Sequence, residues 1–131
     1  MITEHDMQAF GYYTEEREKA KQTPTDMVRE FAKVTGQTTD AQLYTTLIHE
    51  EYGEWQKEVD PVAELKELAD LLYVIYGYAN ARGWGIQEAL FRVHKNNLER
   101  IIQPDGSIKR REDGKILKRA NPPKVDLSDL V

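Results

Sequence analysis

Two short acidic clusters carry the chemistry this sequence could do. Glu50-Glu51-Tyr52-Gly53-Glu54 reads EExxE, and twelve residues further on Glu67-Leu68-Ala69-Asp70 reads ExxD. Both lie in runs with helical spacing, and residues three or four apart share one helical face. Each segment therefore points a small group of carboxylates in one direction. Packed antiparallel, two such helices would bring Glu51, Glu54, Glu67 and Asp70 together, with Glu50 beside them. So many acids in one place repel strongly unless something positive sits among them, and a divalent cation is the natural candidate. Hard divalent cations take oxygen ligands, so a carboxylate set without His or Cys argues for Mg2+ or Mn2+ over zinc. The di-iron helical bundle needs Glu-x-x-His pairs. Here the residues three before His49 and His94 are Thr46 and Phe91, and that option is set aside.

A metal cluster facing basic groups suggests phosphoryl chemistry. Cations polarise a phosphate and activate water, and a carboxylate outside the ligand set can take that water's proton. Glu50 is the candidate base, because Glu51 and Glu54 make the better ligand pair. Lys and Arg from the C-terminal third would neutralise the remaining charge of a polyphosphate.

Composition sets the bounds. The chain has 131 residues, one domain's worth, and a formal net charge of −5. Residues 92–119 hold nine Lys and Arg against four Asp and Glu, a local charge of +5, so the remainder is about −10. No basic stripe dominates, which argues against general nucleic-acid binding. There is no cysteine, hence no disulfide framework and no thiolate zinc site. No N-terminal apolar segment and no long apolar run is present. The expectation is a soluble, cytoplasmic protein that neither spans nor binds a membrane.

The elements that must position the acids follow from periodicity and caps. Residues 1–24 form a polar N-terminal extension with Phe10, Tyr12 and Tyr13, and residues 14–22 read as either a short helix or disorder. Thr25 or Asp26 is the expected cap of a first helix carrying Met27, Val28, Phe31 and Val34, closed by Gly36. Thr38-Thr39-Asp40 offers the next cap. Leu43, Leu47, Glu50 and Glu54 then fall on one side of the second helix, so the glutamates continue an apolar stripe. Asp60-Pro61 starts a third helix, with Asp as N-cap and Pro at N1, and Gly83 stops it after Arg82. That helix is apolar nearly all round and should be central. Glu67 and Asp70 share a face with Leu71, Val74, Tyr78 and Ala81. A fourth helix over residues 85–102 would turn Ala89, Leu90, Val93, Leu98 and Ile101 inward and end in His94, Lys95, Asn96, Asn97 and Arg100. Asp113-Gly114 marks a hairpin within residues 108–117. Residues 119–131 look like an extended tail, on the surface or disordered. The class is all-α: a bundle of four helices over residues 25–103, then a basic hairpin and tail over 104–131.

At this level the chain resembles the MazG-like all-α nucleoside triphosphate pyrophosphohydrolases, a superfamily that includes dimeric dUTPases and phosphoribosyl-ATP pyrophosphohydrolase. EExxE…ExxD is the core of the likeness. Val28-Arg29-Glu30-Phe31 precedes it, and Leu71-Leu72-Tyr73-Val74-Ile75-Tyr76-Gly77 extends it. Phe91-Arg92-Val93-His94-Lys95-Asn96-Asn97 and Arg111-Glu112-Asp113-Gly114-Lys115-Ile116-Leu117-Lys118 follow. The blocks resemble the phosphoribosyl-ATP pyrophosphohydrolase-like subgroup of bacteria and phages over residues 27–123. The resemblance implies a four-helix MazG-like bundle, a homodimer or dimer of dimers, and Mg2+- or Mn2+-dependent hydrolysis of (deoxy)nucleoside triphosphates to monophosphate and pyrophosphate. It implies metal ligands at Glu51, Glu54, Glu67 and Asp70, Glu50 as base, and Asn97 and Arg100 near the nucleotide. Two positions depart from the pattern: Asn96 stands where Ser is usual, and Arg100 where Lys is usual.

Each feature also has a plainer reading. Acids at i, i+3 occur on any charged helix. His94 can be a hydrogen-bonded structural residue, and Gly77 a site of close helix packing. Lys95, Arg111, Lys115 and Lys118 can reach phosphate or be solvated. Two other functions compete with nucleotide-pool housekeeping. One is a non-catalytic, metal-stabilised module that binds nucleotide or a partner protein; the other is hydrolysis of phosphoribosyl-ATP.

Overall fold

The computed structural model describes residues 22–36 and 40–131. Expectations for residues 1–21 and for Thr38 and Thr39 fall outside them. The elements are α1 (Pro24–Thr35), α2 (Ala41–Lys57), α3 (Pro61–Arg82), α4 (Ile86–Ile101) and a final 3-10 turn, Ser128–Leu130. Among the described residues there is no strand, only the antiparallel bridges Ile102–Ile108 and Arg110–Ile116. The all-α class is therefore observed. The chain divides into two compact units, one ending at Arg82 and the other spanning Gly83–Val131.

In the first unit α3 packs against both α1 and α2, more extensively against α2. The helix ends are chemically explicit. Thr23 caps α1: its hydroxyl accepts from the Asp26 N–H at 3.1 Å, and the Asp26 carboxylate accepts from the Thr23 N–H at 3.3 Å. The cap thus lies before the expected Thr25 or Asp26. Pro24 sits at the first helical position, where its missing N–H costs nothing, instead of preceding the helix. Gly36 closes α1 in the left-handed region, φ 66°. Asp40 and Asp60 cap α2 and α3, accepting from Gln42 N–H at 2.9 Å and Ala63 N–H at 3.1 Å.

The core of this unit is thin. Val28, Tyr44, Val74 and Ala79 are its buried apolar side chains. The Tyr44 ring occupies a notch at Gly77, where an added Cβ would stand 2.2 Å from Tyr44 Cε1. This contact sets the rotation of α2. Tyr44 is buried, Leu47, Ile48, Glu51 and Trp55 are half-buried, and Leu43, Glu50 and Glu54 are exposed. The inward stripe is therefore turned by one residue from the expected Leu43–Leu47–Glu50–Glu54 line. A large ring with a matching gap outweighs a leucine. On α3 the expected face is the observed one: Val74 is buried, and Glu67, Asp70, Leu71, Tyr78 and Ala81 are half-buried. Its far side is uncovered, with Leu65 68% and Leu72 57% exposed.

In the second unit the residues beyond α4 fold back along it. The hairpin turns at residues 111–115, where Arg111 N–H donates to the Lys115 carbonyl at 2.7 Å and Gly114 is left-handed, φ 88°. The tail then returns as a strap. Arg119 N–H donates to the Arg100 carbonyl (2.8 Å), Asn96 Nδ2 to the Pro123 carbonyl (3.0 Å), and Gly85 N–H to the Leu130 carbonyl (3.0 Å). Arg92 holds the Asp129 carboxylate through both terminal nitrogens, at 2.6 and 3.0 Å. Of the residues expected inward on α4, Ala89, Val93 and Ile101 are half-buried, and the other two are corrected. Asn96 is its buried residue, while Leu90 and Leu98 are exposed, because the strap covers the Arg92–Asn96 side.

Gly77→Ala gains helix propensity of about 1 kcal/mol but forces a methyl into the Tyr44 ring, an overpacking cost of about 1–3 kcal/mol or more. At 2.2 Å the clash wins, and thermal melting should fall by roughly 5–10 °C. Gly53 has nothing within 4 Å of its added Cβ, so Gly53→Ala should raise the melting point. Equal responses at the two positions would show that the notch does not set the packing.

Candidate metal centre

Residues 58–60 link α2 to α3, short enough to fold the helices back on each other and set their acids face to face. One carboxylate oxygen from each of Glu51, Glu54 and Glu67 lies within 4.8 Å of the others. Opposite ligands of a cation coordinated at about 2.0–2.4 Å are about 4–5 Å apart, so the cluster matches the span of one ion. Glu51 and Glu67 are half-buried and Glu54 is exposed. Oε2 of Glu51 and Oε2 of Glu67 are both buried without a hydrogen-bond partner. Buried polar atoms are nearly always satisfied. Orphaned acceptors within a group of acids call for a donor or a cation, and the all-oxygen donor set suits a hard divalent ion.

Electrostatics agree. Burial above all, then the charges of Glu54 and Asp70 and the proximity of Glu67, push the Glu51 carboxyl up to about 7. A proton on Glu51 is the metal-free way of relieving the repulsion.

Asp70 stands apart from the three-glutamate set. Its Oδ2 lies 2.5 Å from Lys66 Nζ, which is also 3.9 Å from Glu67 Oε1. Asp70, by hydrogen bond and by charge, holds the Lys66 ammonium above the ordinary lysine range. Lys66 is thus a largely exposed cation at the edge of the cluster. The sequence reading passed over it, although a Lys four residues before an Asp on a helix is a readable pair. Glu50 is exposed, one position round α2 from Glu51.

A cavity of about 490 Å³ adjoins the acids. Phe31, Tyr44, Tyr73 and Val74 line it together with Glu51 and Asp70. The Phe31 and Tyr73 rings meet edge to face, with centroids 5.6 Å apart at 86°. Burial raises the Tyr73 hydroxyl pKa above that of a free tyrosine, with Tyr44 and Glu30 adding to the effect. The cavity lining is therefore mainly aromatic and aliphatic, with two carboxylates among it.

The remaining candidates lie in the second unit. Lys95, Asn97, Lys115 and Lys118 are exposed, and Arg100 is half-buried. The Arg111 guanidinium is taken up by Asp113 in its own turn, through Nε at 3.0 Å and Nη2 at 2.5 Å. No helix among the described residues is long and apolar enough to cross a membrane. No protein-family model matches the chain, and no curated protein matches it.

The raised Glu51 pKa fixes a sign. The folded, metal-free protein holds this proton more tightly than the unfolded chain does. Its stabilising effect is complete below the ordinary value of 4.5 and is lost as pH rises through about 7. In chelator, Glu51→Gln should therefore melt higher than the parent at pH 8, by roughly 3–6 °C, with the difference vanishing near pH 4. A constant difference across that range would show that Glu51 carries no such proton.

Proposed function

We propose that the chain is a divalent-metal-dependent nucleoside triphosphate pyrophosphohydrolase of the MazG-like kind. The supporting observation is the group Glu51, Glu54 and Glu67, whose carboxylate oxygens meet within 4.8 Å and include two buried, unpartnered atoms. Glu51, Glu54 and Glu67, with Asp70 once released from Lys66, would hold Mg2+ or Mn2+, which would supply the Lewis acidity that polarises a phosphate. Glu50 stays outside the ligand set and takes the proton of the attacking water. The water oxygen bonds to phosphorus, the bond to pyrophosphate breaks, and a nucleoside monophosphate remains. The adjoining cavity supports a nucleotide over bare pyrophosphate: Phe31, Tyr44 and Tyr73 in its lining suit a base, and Glu51 and Asp70 join it to the carboxylate cluster. The resemblance would add phosphate contacts from Asn97, Arg100, Lys95, Lys115 and Lys118, and from Arg111 only once it leaves Asp113. The protein acts as a homodimer or a pair of dimers. Support for this comes from the uncovered α3 residues Leu65 and Leu72, beside a core of few buried side chains.

Pyrophosphate release from a panel of NTPs, dNTPs and phosphoribosyl-ATP, with Mg2+ and then Mn2+, tests the activity. Release should require metal. Glu67→Ala should abolish it together with metal binding, and Glu50→Gln should cut turnover by about a hundredfold or more while metal still binds. Metal binding without release from any substrate would favour the non-catalytic module, and preference for phosphoribosyl-ATP would relocate the substrate. For the assembly, light scattering should give at least twice the 15.2 kDa chain mass. Leu65→Glu with Leu72→Glu should shift it toward monomer; a monomeric parent would overturn the dimer.

A further inference from the structure

The ammonium of Lys66 is tethered beside the carboxylate cluster by α3 itself. Its Nζ lies 2.5 Å from Asp70 Oδ2, a direct ion pair, and 3.9 Å from Glu67 Oε1, too far for a hydrogen bond. The charge of Glu51, on the facing helix α2, also acts on it. The Lys66 side chain is 68% exposed, against 35% for Asp70 and 12% for Glu67. Its stem therefore lies in solvent, and only its head reaches the rim of the cluster.

One ammonium cannot satisfy this group. Glu51, Glu54, Glu67 and Asp70 bring four carboxylates, and Lys66 brings a single positive charge. The oxygens left without a partner, Glu51 Oε2 and Glu67 Oε2, are buried ones that the rim ammonium does not serve. A divalent ion among Glu51, Glu54 and Glu67 would meet those oxygens and set a doubly charged cation near the ammonium. Cations repel at such range, and Lys66 is the one free to move. Ion pairs between exposed residues four apart on a helix are weak, and a flexible lysine stem has open solvent to swing into. Asp70 is then left with a free oxygen on the same helical face as Glu67.

We propose that Lys66 is a tethered stand-in for the metal: it neutralises Asp70 in the metal-free protein and gives that carboxylate up when a divalent ion binds, so that loading the centre is an exchange of cations. The inference rests on the reading of the carboxylates as a metal centre. It goes beyond that reading by assigning the residue that steadies the metal-free cluster and sets its affinity. Lys66 acts through Asp70 and is a positioning residue. With it, metal binds less tightly than the bare carboxylates would bind it, and the metal-free chain is more stable than they would allow.

The exchange is tested on the full chain by thermal melting and by calorimetric titration with Mn2+, both at pH 8. In EDTA, Lys66→Met should melt roughly 2–4 °C below the parent, and in saturating Mn2+ that gap should close or reverse. A lysine with a merely structural role would lower both melts alike, and that result would overturn the exchange. Mn2+ should bind Lys66→Met about five- to tenfold more tightly than the parent. Lys66→Arg should restore the parent affinity, and Lys33→Met, which removes the same charge from an exposed position on α1, should change it less than about twofold. Asp70→Asn completes the cycle: it should weaken Mn2+ binding at least about threefold more in the Lys66→Met chain than in the parent, because only there is Asp70 free to begin with. Glu67→Ala separates the two readings. If it abolishes Mn2+ binding while affinity is indifferent to Lys66, or while Asp70→Asn costs the same in both backgrounds, the metal centre stands and the exchange falls. If neither the parent nor Lys66→Met binds Mn2+ saturably, both fall.

Discussion

The placement of the acids depends on one steric fit, the Tyr44 ring in the gap left by Gly77. A glycine within a helix costs stability, and here the absent Cβ is where a ring from another helix lies. That fit decides which side of α2 faces α3. Because Tyr44 and Glu51 are two helical turns apart, burying the ring turns Glu51 inward as well. Glu54 follows one turn further on, and Glu67 comes from the facing helix. The carboxylates meet because an aromatic side chain elsewhere on the same helix has been given a seat.

Bringing them together creates an electrostatic problem that the chain solves only in part. Lys66 neutralises Asp70, and a proton on Glu51 relieves its repulsion with the neighbouring acids. Two carboxylate oxygens remain buried and unpartnered. Buried charge is costly when it is unpaired, so such a cluster opposes folding by itself. Carboxylates kept only for stability would be expected to pair fully or to lie at the surface. A residual deficit of positive charge at one point is what a site for an exchangeable cation requires, since a fully satisfied cluster would have nothing left to bind with.

The sequence made the local chemistry legible and left the long-range chemistry dark. Asp60-Pro61, Gly36 and Gly83 mark helix ends because capping acts within a few residues, and those ends are where the structure has them. The face of α3 was also readable, since Glu67 and Asp70 fall on one line with Leu71, Val74, Tyr78 and Ala81. The face of α2 was not. Leu43 and Tyr44 both fit a helical period, and the choice between them lies in a glycine on another helix. The strap was read only as an extended tail, without its anchors. Residues 119–131 have no period, and their anchors, Arg92 with Asp129 and Asn96 with Pro123, are single polar pairs joined only by folding. The carboxylate triad was visible as spacing, but the separation of Asp70 from it was not, because that depends on which partner Lys66 selects.

The strap also changes what the uneven charge of the sequence means. Positive charge over residues 92–119 could have been a solvated surface, repelling itself into extended side chains. Folding divides these cations instead. Arg92 and Arg111 are committed to Asp129 and Asp113, which hold the strap and the turn. Arg100 and Lys118, with Lys124 from the strap, are gathered without acids. Structural cations thus pay for the arrangement of unpaired ones. Each unit ends with an unsatisfied charge, negative between α2 and α3 and positive beneath the strap, and each deficit is set by uncharged neighbours. Tyr44 and Gly77 play that part in one unit, Asn96 and Pro123 in the other. Substitutions at those four positions would therefore alter the electrostatics of their units without altering a single charge.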